Sequence, residues 1–303
     1  MSWVDDDLLA FVQLAAAAGA SQTTSSATIS TTAAATTSVT EVEGLLSLDQ
    51  FEERFRHKRP VKMRGAARHW GAVQAWAKDM GALVGRLEAA MGGGDVAVLV
   101  AKDNRHFFKN ALCVEERRKL SDIFRSIFGG GGDDDRDRQR LYCRLPLVDQ
   151  VLDDVDLPNT LVFGPDGGGF KQANCGMWAS AAGNITPLHY DLCHGFLVQI
   201  VGRKRWTLFS PDDYRLLYPS SSIDPNPLSS QVSIEQWYAG DSSQRARFPK
   251  VADAEPYHVD LEPGDIMYTP PFWWHHVETV EPSISVLLPW DKRPDEPVHP
   301  CAL

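Results

Sequence analysis

From Arg140 to Trp290 the sequence breaks into short runs rich in Val, Ile, Leu, Phe, Trp and Thr, separated by Gly, Pro, Asn and Asp. Runs of that length form strands, and their close spacing leaves no room for the crossover helices of a parallel sheet, so this stretch predicts a sandwich or barrel. Phe196 to Val201 and Lys204 to Phe209 flank Gly202 and read as a hairpin. Val259 to Leu261, the Pro263-Gly264-Asp265 turn, Ile266 to Thr269, Trp274 to Thr279 and Ile284 to Leu288 continue the pattern. No period of roughly 20–50 residues recurs, which argues against a solenoid or propeller.

The sequence before this stretch has a different texture. Residues 1–40 open on Asp5-Asp6-Asp7 and then run through Ala, Ser and Thr, with nothing bulky enough to nucleate a core, and read as a tail. Leu8 to Ala18 resembles the apolar segment of a signal peptide, but the residues ahead of it are acidic where they should be basic. Structured sequence is expected from near Val42, with a helix start at Ser47, a strand at Pro60–Gly65, helices around Trp70, Trp76 and Met80–Met91, and a strand at Val96–Val100. Gly129–Gly132 and the charge run to Arg138 read as a solvated loop. The expected organisation is a tail over 1–40, a mixed α/β region over 41–139 packing on a barrel over 140–293, and a short tail over 294–303.

Composition narrows the function classes. The longest apolar stretch, Leu8 to Ala20, is interrupted by Gln13 and falls short of the roughly 18–20 residues that cross a bilayer, so no membrane span is expected. The five cysteines include no CxxC pair, which suggests neither a disulfide framework nor a thiolate zinc site and favours an intracellular setting, cytoplasmic or nuclear. The net charge of −10 is uneven, since residues 1–50 carry six carboxylates and no Lys or Arg. The total therefore says little about the partner.

In Thr186-Pro187-Leu188-His189-Tyr190-Asp191 an imidazole and a carboxylate stand two apart, on one face of a strand, where they can share an ion. Pro271-Phe272-Trp273-Trp274-His275-His276-Val277 offers two more imidazoles that point to opposite faces, so only one can join the pair. Two His and one carboxylate are the facial triad of non-haem iron(II) oxygenases, whereas structural zinc takes four ligands, usually with thiolates.

Phe196-Leu-Val-Gln-Ile-Val-Gly-Arg-Lys-Arg-Trp-Thr-Leu-Phe-Ser-Pro211 and Leu261-Glu-Pro-Gly-Asp-Ile-Met-Tyr-Thr-Pro-Pro-Phe-Trp-Trp-His-His-Val277 supply context. With them the chain resembles the small JmjC-domain, cupin-like iron(II) and 2-oxoglutarate dioxygenases, over roughly Val42 to Trp290. Within that family it is most similar to the hydroxylase branch that includes the asparaginyl hydroxylase of hypoxia-inducible factor and the tRNA wybutosine hydroxylase. The resemblance implies a mainly β fold with α additions, a double-stranded β-helix (jelly-roll or cupin) barrel behind a helical N-terminal region. It implies His189, Asp191 and His275 as iron ligands, with His276 turned away. It also implies Lys204 as partner of the distal carboxylate of 2-oxoglutarate, with Thr186 and Tyr142 as hydroxyl donors to the same group. Iron(II), 2-oxoglutarate as co-substrate and dioxygen are the implied cofactors.

Two positions depart from the family pattern. Gly195 and Leu287 stand where many members carry residues that orient the keto-acid end of 2-oxoglutarate, with His194, Ser283 or Ser285 as candidate substitutes. Trp206, Trp273, Trp274 and Trp290 read as barrel packing. The stretches from Asp212 to Ser222 and from Ser229 to Arg247 form an insertion suited to substrate selection. The expected activity is hydroxylation of a protein side chain. The alternatives are hydroxylation of a modified tRNA base, lysine demethylation, and a cupin-like binding protein whose metal site is vestigial. Convergence of Arg54, Arg56, His57, Lys58, Arg59, Arg203 and Arg205 on the barrel mouth would favour RNA. A monomer is expected.

Overall fold

The computed structural model describes residues 37–107, 112–129, 139–164 and 169–299. The strands, in chain order, are β1 (Thr37–Ser38), β2 (Thr40–Glu43), β3 (Val61–Arg64), β4 (Val96–Ala101), β5 (Cys113–Arg118), β6 (Leu141–Pro146) and β7 (Gly176–Ser180). They continue with β8 (Ile185–His189), β9 (His194–Val201), β10 (Lys204–Phe209), β11 (Tyr257–Leu261), β12 (Ile266–Thr269), β13 (Trp274–Thr279) and β14 (Ser283–Trp290). Five of them form one sheet in the order β1-β11-β10-β13-β8, and nine form a second in the order β2-β3-β12-β9-β14-β7-β6-β4-β5. From β7 onward the chain changes sheet at almost every turn, the winding of the expected jelly roll.

That winding corrects the hairpin expected at Gly202. β9 pairs with β12 and β14, whereas β10 pairs with β11 and β13, so the two strands lie in different sheets. Gly202 sits at φ +67° and a Cβ there would come within 2.1 Å of the Pro282 carbonyl oxygen, so the corner is pressed against the start of β14 and only glycine fits. The Gln199 amide closes it by donating to the carbonyls of Val201 at 2.7 Å and Gly202 at 2.9 Å. A glycine between two strands is needed for a hairpin and for a sheet-changing corner alike, and alternation cannot distinguish them.

The outer face of the nine-stranded sheet is covered by helices. Ser47 starts the helix Leu48–Arg54 through a reciprocal cap with Gln50, and that helix buries Phe51. Leu120, Ile123, Phe124 and Ile127 form one apolar stripe along the helix Leu120–Phe128. These side chains join Phe55, Trp70, Trp76, Leu83, Met177, Val286 and Leu288 in the largest core cluster, where full burial of each aliphatic or aromatic group is worth about 1.5–3 kcal/mol. A second cluster, with Leu217, Val232, Ile234 and Phe248 against Tyr190, Phe209 and Trp274, folds the insertion between β10 and β11 back onto the five-stranded sheet. A third fills the space between the sheets with Leu197, Trp206, Leu208, Met267, Trp273 and Val277.

Among the described residues pairing begins at Thr37, ahead of Val42, because β1 runs parallel to β11 and β2 parallel to β3. The N-terminal region also extends the barrel sheet itself, since β3 pairs with β12 and β4 with β6. The expected loop after Gly129 falls, from residue 130 to 138, outside the described residues. Among the described residues no helix is long and apolar enough to cross a membrane.

Candidate metal centre

β8 and β13 are antiparallel neighbours, and His189 stands directly opposite His275. The next matched pair is Thr186 with Val277, so β8 carries one extra residue in the interval. That bulge puts Thr186 and His189, three residues apart, on the same inner face, and Pro187, which has no N–H to give, is tolerated inside it. The two imidazole rings face each other with centroids 4.1 Å apart.

Hydrogen bonds fix which nitrogen of each ring carries the proton. His189 Nδ1–H donates to the Pro187 carbonyl at 2.7 Å, and His275 Nδ1–H donates to the Trp273 carbonyl at 3.0 Å. A carbonyl can only accept, so the proton sits on Nδ1 of each ring and Nε2 is the nitrogen of the kind that ligates a metal. Asp191, just past the end of β8, brings Oδ2 to 3.8 Å from His275 Nε2, and its side chain is 53 % exposed. Ligand atoms of the three residues all lie within 4.8 Å of one another. Burial, reinforced by the His275 ring, pushes His189 down to about 4, so the ring is neutral, the form a metal requires. Trp206 stacks on His275 at 5.4 Å and 21°, bracing its plane from β10.

The other expected site residues face the same interior. Lys204 opens β10, opposite Thr279, and is only 2 % exposed. Burial pushes its ammonium down to about 7, and among the described residues no carboxylate pairs with it. Tyr142 lies on β6 opposite Ser180, and its hydroxyl meets the Thr186 side chain across the barrel. Burial pushes that phenol up to about 12, and its ring stacks on Trp178 at 4.7 Å. The inner wall thus brings together a three-donor cluster, an unpaired buried cation and two hydroxyls.

Gly195 and Leu287 prove to be one contact. A Cβ on Gly195 would lie 3.7 Å from Leu287 Cδ1, so the leucine fills the space that the glycine leaves. Of the three candidate substitutes, Ser285 Oγ donates to Gln199 Oε1 at 2.8 Å and Ser283 Oγ is buried without a partner among the described residues. His194 is not one of them, because its side chain turns to the opposite face.

There it belongs to a second group of two imidazoles and a carboxylate, His57, His194 and Glu296. The Tyr268 hydroxyl accepts the His57 backbone N–H at 2.8 Å and so offers its own proton to His194 Nδ1 at 2.9 Å. His194 Nε2–H then donates to Glu296 Oε2 at 2.8 Å, while Arg56 Nε donates to Oε1, also at 2.8 Å. Both nitrogens of His194 and both oxygens of Glu296 are committed, and a guanidinium already balances the carboxylate. The donors match a metal site in kind, but the central ring, His194, has no lone pair left for one, and of the group's buried atoms only His57 Nδ1 lacks a hydrogen-bond partner among the described residues.

The expected basic cluster does not converge on the barrel mouth. Arg54 and Arg59 lie over the Phe55 ring, Arg203 pairs with Glu281 and Arg205 with Asp260. Sequence reasoning also missed two features. Trp206, two residues after Lys204, could have been placed beside the ligands by strand alternation. Glu235, which joins His106 to His276, carries no local signal at all.

A profile of the cupin-like domain family matches residues 47–296. The chain is 30% identical over 239 residues to the lysine-specific demethylase JMJ30 of Arabidopsis thaliana, covering 77% of this chain and 50% of that protein. It is 27% identical over 253 residues to the Jumonji C domain-containing protein 5 of Drosophila melanogaster, covering 81% and 58%. It is 33% identical over 116 residues to the human HSPB1-associated protein 1, covering 38% and 22%. The chain spans about half the length of the first two relatives and less of the third. With the family profile running through β14 and both ligand strands, the chain belongs to the cupin-like domain family of JmjC proteins.

Proposed function

We propose that this chain is an iron(II)- and 2-oxoglutarate-dependent oxygenase that hydroxylates a protein side chain. The observation that carries the reading is the meeting of two imidazoles protonated at Nδ1 and one carboxylate with a buried lysine that no carboxylate pairs among the described residues. His189, Asp191 and His275 would hold the metal, Asp191 offsetting one of its two positive charges and the three donors leaving positions open. Lys204 would take the distal carboxylate of 2-oxoglutarate as a point charge, with Tyr142 and Thr186 donating beside it. Bound iron(II) and 2-oxoglutarate supply the dioxygen-dependent oxidation of a substrate C–H bond. Trp178, stacked on Tyr142, and Trp206, stacked on His275, would brace the residues around them.

A protein substrate is preferred to tRNA because the basic side chains are paired or stacked away from the mouth. A monomer in an intracellular compartment completes the reading. Lysine demethylation is the second reading, favoured by the printed name of the Arabidopsis relative. Succinate formation should require iron(II), 2-oxoglutarate and dioxygen and should vanish in His189→Ala. Mass spectrometry of treated cellular protein should then show the gain of one oxygen. Release of formaldehyde would favour demethylation, and folded, iron-loaded protein that forms no succinate would overturn the oxygenase.

A further inference from the structure

The insertion between β10 and β11 grips both ligand strands. On one side it lies along β8 beside His189: Ser229 bridges to His189, Ser230 N–H donates to the Leu188 carbonyl at 2.8 Å, and Tyr190 N–H donates to the Leu228 carbonyl at 3.0 Å. A few residues later, in the short helix Ile234–Tyr238, the same insertion presents Glu235 to the back of β13. His276 follows the ligand His275, is 5 % exposed, and brings Nε2 to 3.4 Å from Glu235 Oε2, within ion-pair reach but outside hydrogen-bond geometry.

Glu235 is itself held from the other side. Its Oε1 accepts from His106 Nε2 at 2.9 Å and from the Ser233 hydroxyl, and His106 Nδ1–H donates to Asp103 Oδ2 at 2.5 Å. An imidazole between two carboxylates is held charged, and His106 is raised above its ordinary value chiefly by Glu235. The same contacts hold Glu235 well below the usual carboxylate range despite its burial. The segment bearing His106 is anchored to β8 as well, through Phe107 N–H to the Ile185 carbonyl at 2.8 Å and Ile185 N–H to the Arg105 carbonyl at 2.9 Å.

We propose that Glu235 is a positioning residue for the metal centre: one carboxylate clamped between His106 and His276 ties the insertion to β13 and thereby sets the spacing of His275 against His189. The inference rests on the reading of His189, Asp191 and His275 as metal ligands. Glu235 touches neither metal nor ligand ring, and it acts through the strand.

The test is Mn(II) affinity, by calorimetry and by electron paramagnetic resonance, with Mn(II) as a redox-stable probe. Glu235→Gln should weaken binding about 10-fold, the lower end of the range for outer partners of metal ligands, and should alter the bound Mn(II) signal. Ile123→Val, in the helix Leu120–Phe128, serves as a control that loosens the core away from the site and should keep wild-type affinity. His106→Asn, which removes only one anchor, should shift affinity in the same direction by about 3-fold and replaces Glu235→Gln if that variant does not fold. Wild-type protein that binds no Mn(II) overturns the metal reading and this inference with it. Wild-type binding with unchanged affinity in the folded Glu235 or His106 variant overturns the inference alone.

Discussion

Among the described residues the chain holds two groups of two imidazoles and one carboxylate, and they differ in how their nitrogens and oxygens are committed. In His189–Asp191–His275 each ring gives its Nδ1–H to a carbonyl, so that Nε2 is the unprotonated nitrogen, and the carboxylate is half exposed. In His57–His194–Glu296 the central ring is fully buried and spends both nitrogens, and the carboxylate is shared with a buried guanidinium. Even the aromatic support is the same, since Trp206 stacks on His275 at 5.4 Å and Trp290 on His194 at 5.1 Å. The commitment of both nitrogens of the central imidazole separates a structural bolt from a metal site, and a list of residue types cannot show it.

The largest expected effect breaks the bolt. Arg56 has a side chain only 5% exposed and depends on Glu296, with help from Glu52 at 3.3 Å. Glu296→Ala leaves that guanidinium short of its main partner and should cost about 3 kcal/mol in urea unfolding, toward the lower end for broken buried pairs because Glu52 remains. Mn(II) affinity should be unchanged. If Mn(II) binding fell along with stability, the two groups would not be separable. The converse variant, His275→Ala, should weaken Mn(II) binding about 100-fold, equivalent to about 2.7 kcal/mol, with little change in unfolding.

Much of the open site was legible and almost none of the closed one. His189 and Asp191 are two residues apart and carry their pairing in the strand period, and the Trp-Trp-His-His run marks the partner strand. The closed group joins helix-flanking Arg56 and His57 to Glu296, 240 residues away from Arg56, so no local pattern announces it. The fold divides the same way. Strand existence followed from composition and alternation, but the change of sheet at Gly202 depends on contact with Pro282, 80 residues on, which no local pattern encodes.

Acid should sharpen the comparison further. Burial pushes His194 down to about 4, below its unfolded value of 6.5, so the unfolded chain takes up a proton that the folded chain refuses. Stability from this group is full above the unfolded value and falls as pH drops from 6.5 toward 4, by about 1–2 kcal/mol between pH 7 and 5. Glu296, held down at about 2 by Arg56 and His194 against an ordinary 4.5, adds a second loss as pH falls from 4.5 toward 2. Urea midpoints across pH should show both steps. His194→Gln should flatten the upper one, and an unchanged profile would mean that His194 is not buried neutral.

The smallest effect concerns the two tryptophans. Among the described residues neither Trp206 Nε1 nor Trp290 Nε1 finds an acceptor, although both are buried. An unsatisfied buried donor costs about 1–3 kcal/mol, whereas a phenylalanine in its place keeps most of the stacked face and drops the donor. The lost ring volume works against that gain, so Trp206→Phe and Trp290→Phe should each fall within about 1 kcal/mol of wild type in urea unfolding. Because the stacking geometry is common to both groups, neither substitution should move Mn(II) affinity by more than about 2-fold. A Trp206→Phe variant that lost Mn(II) while Trp290→Phe did not would show that the indole does more than brace the ring, and that the commitment of nitrogens alone does not separate the two groups.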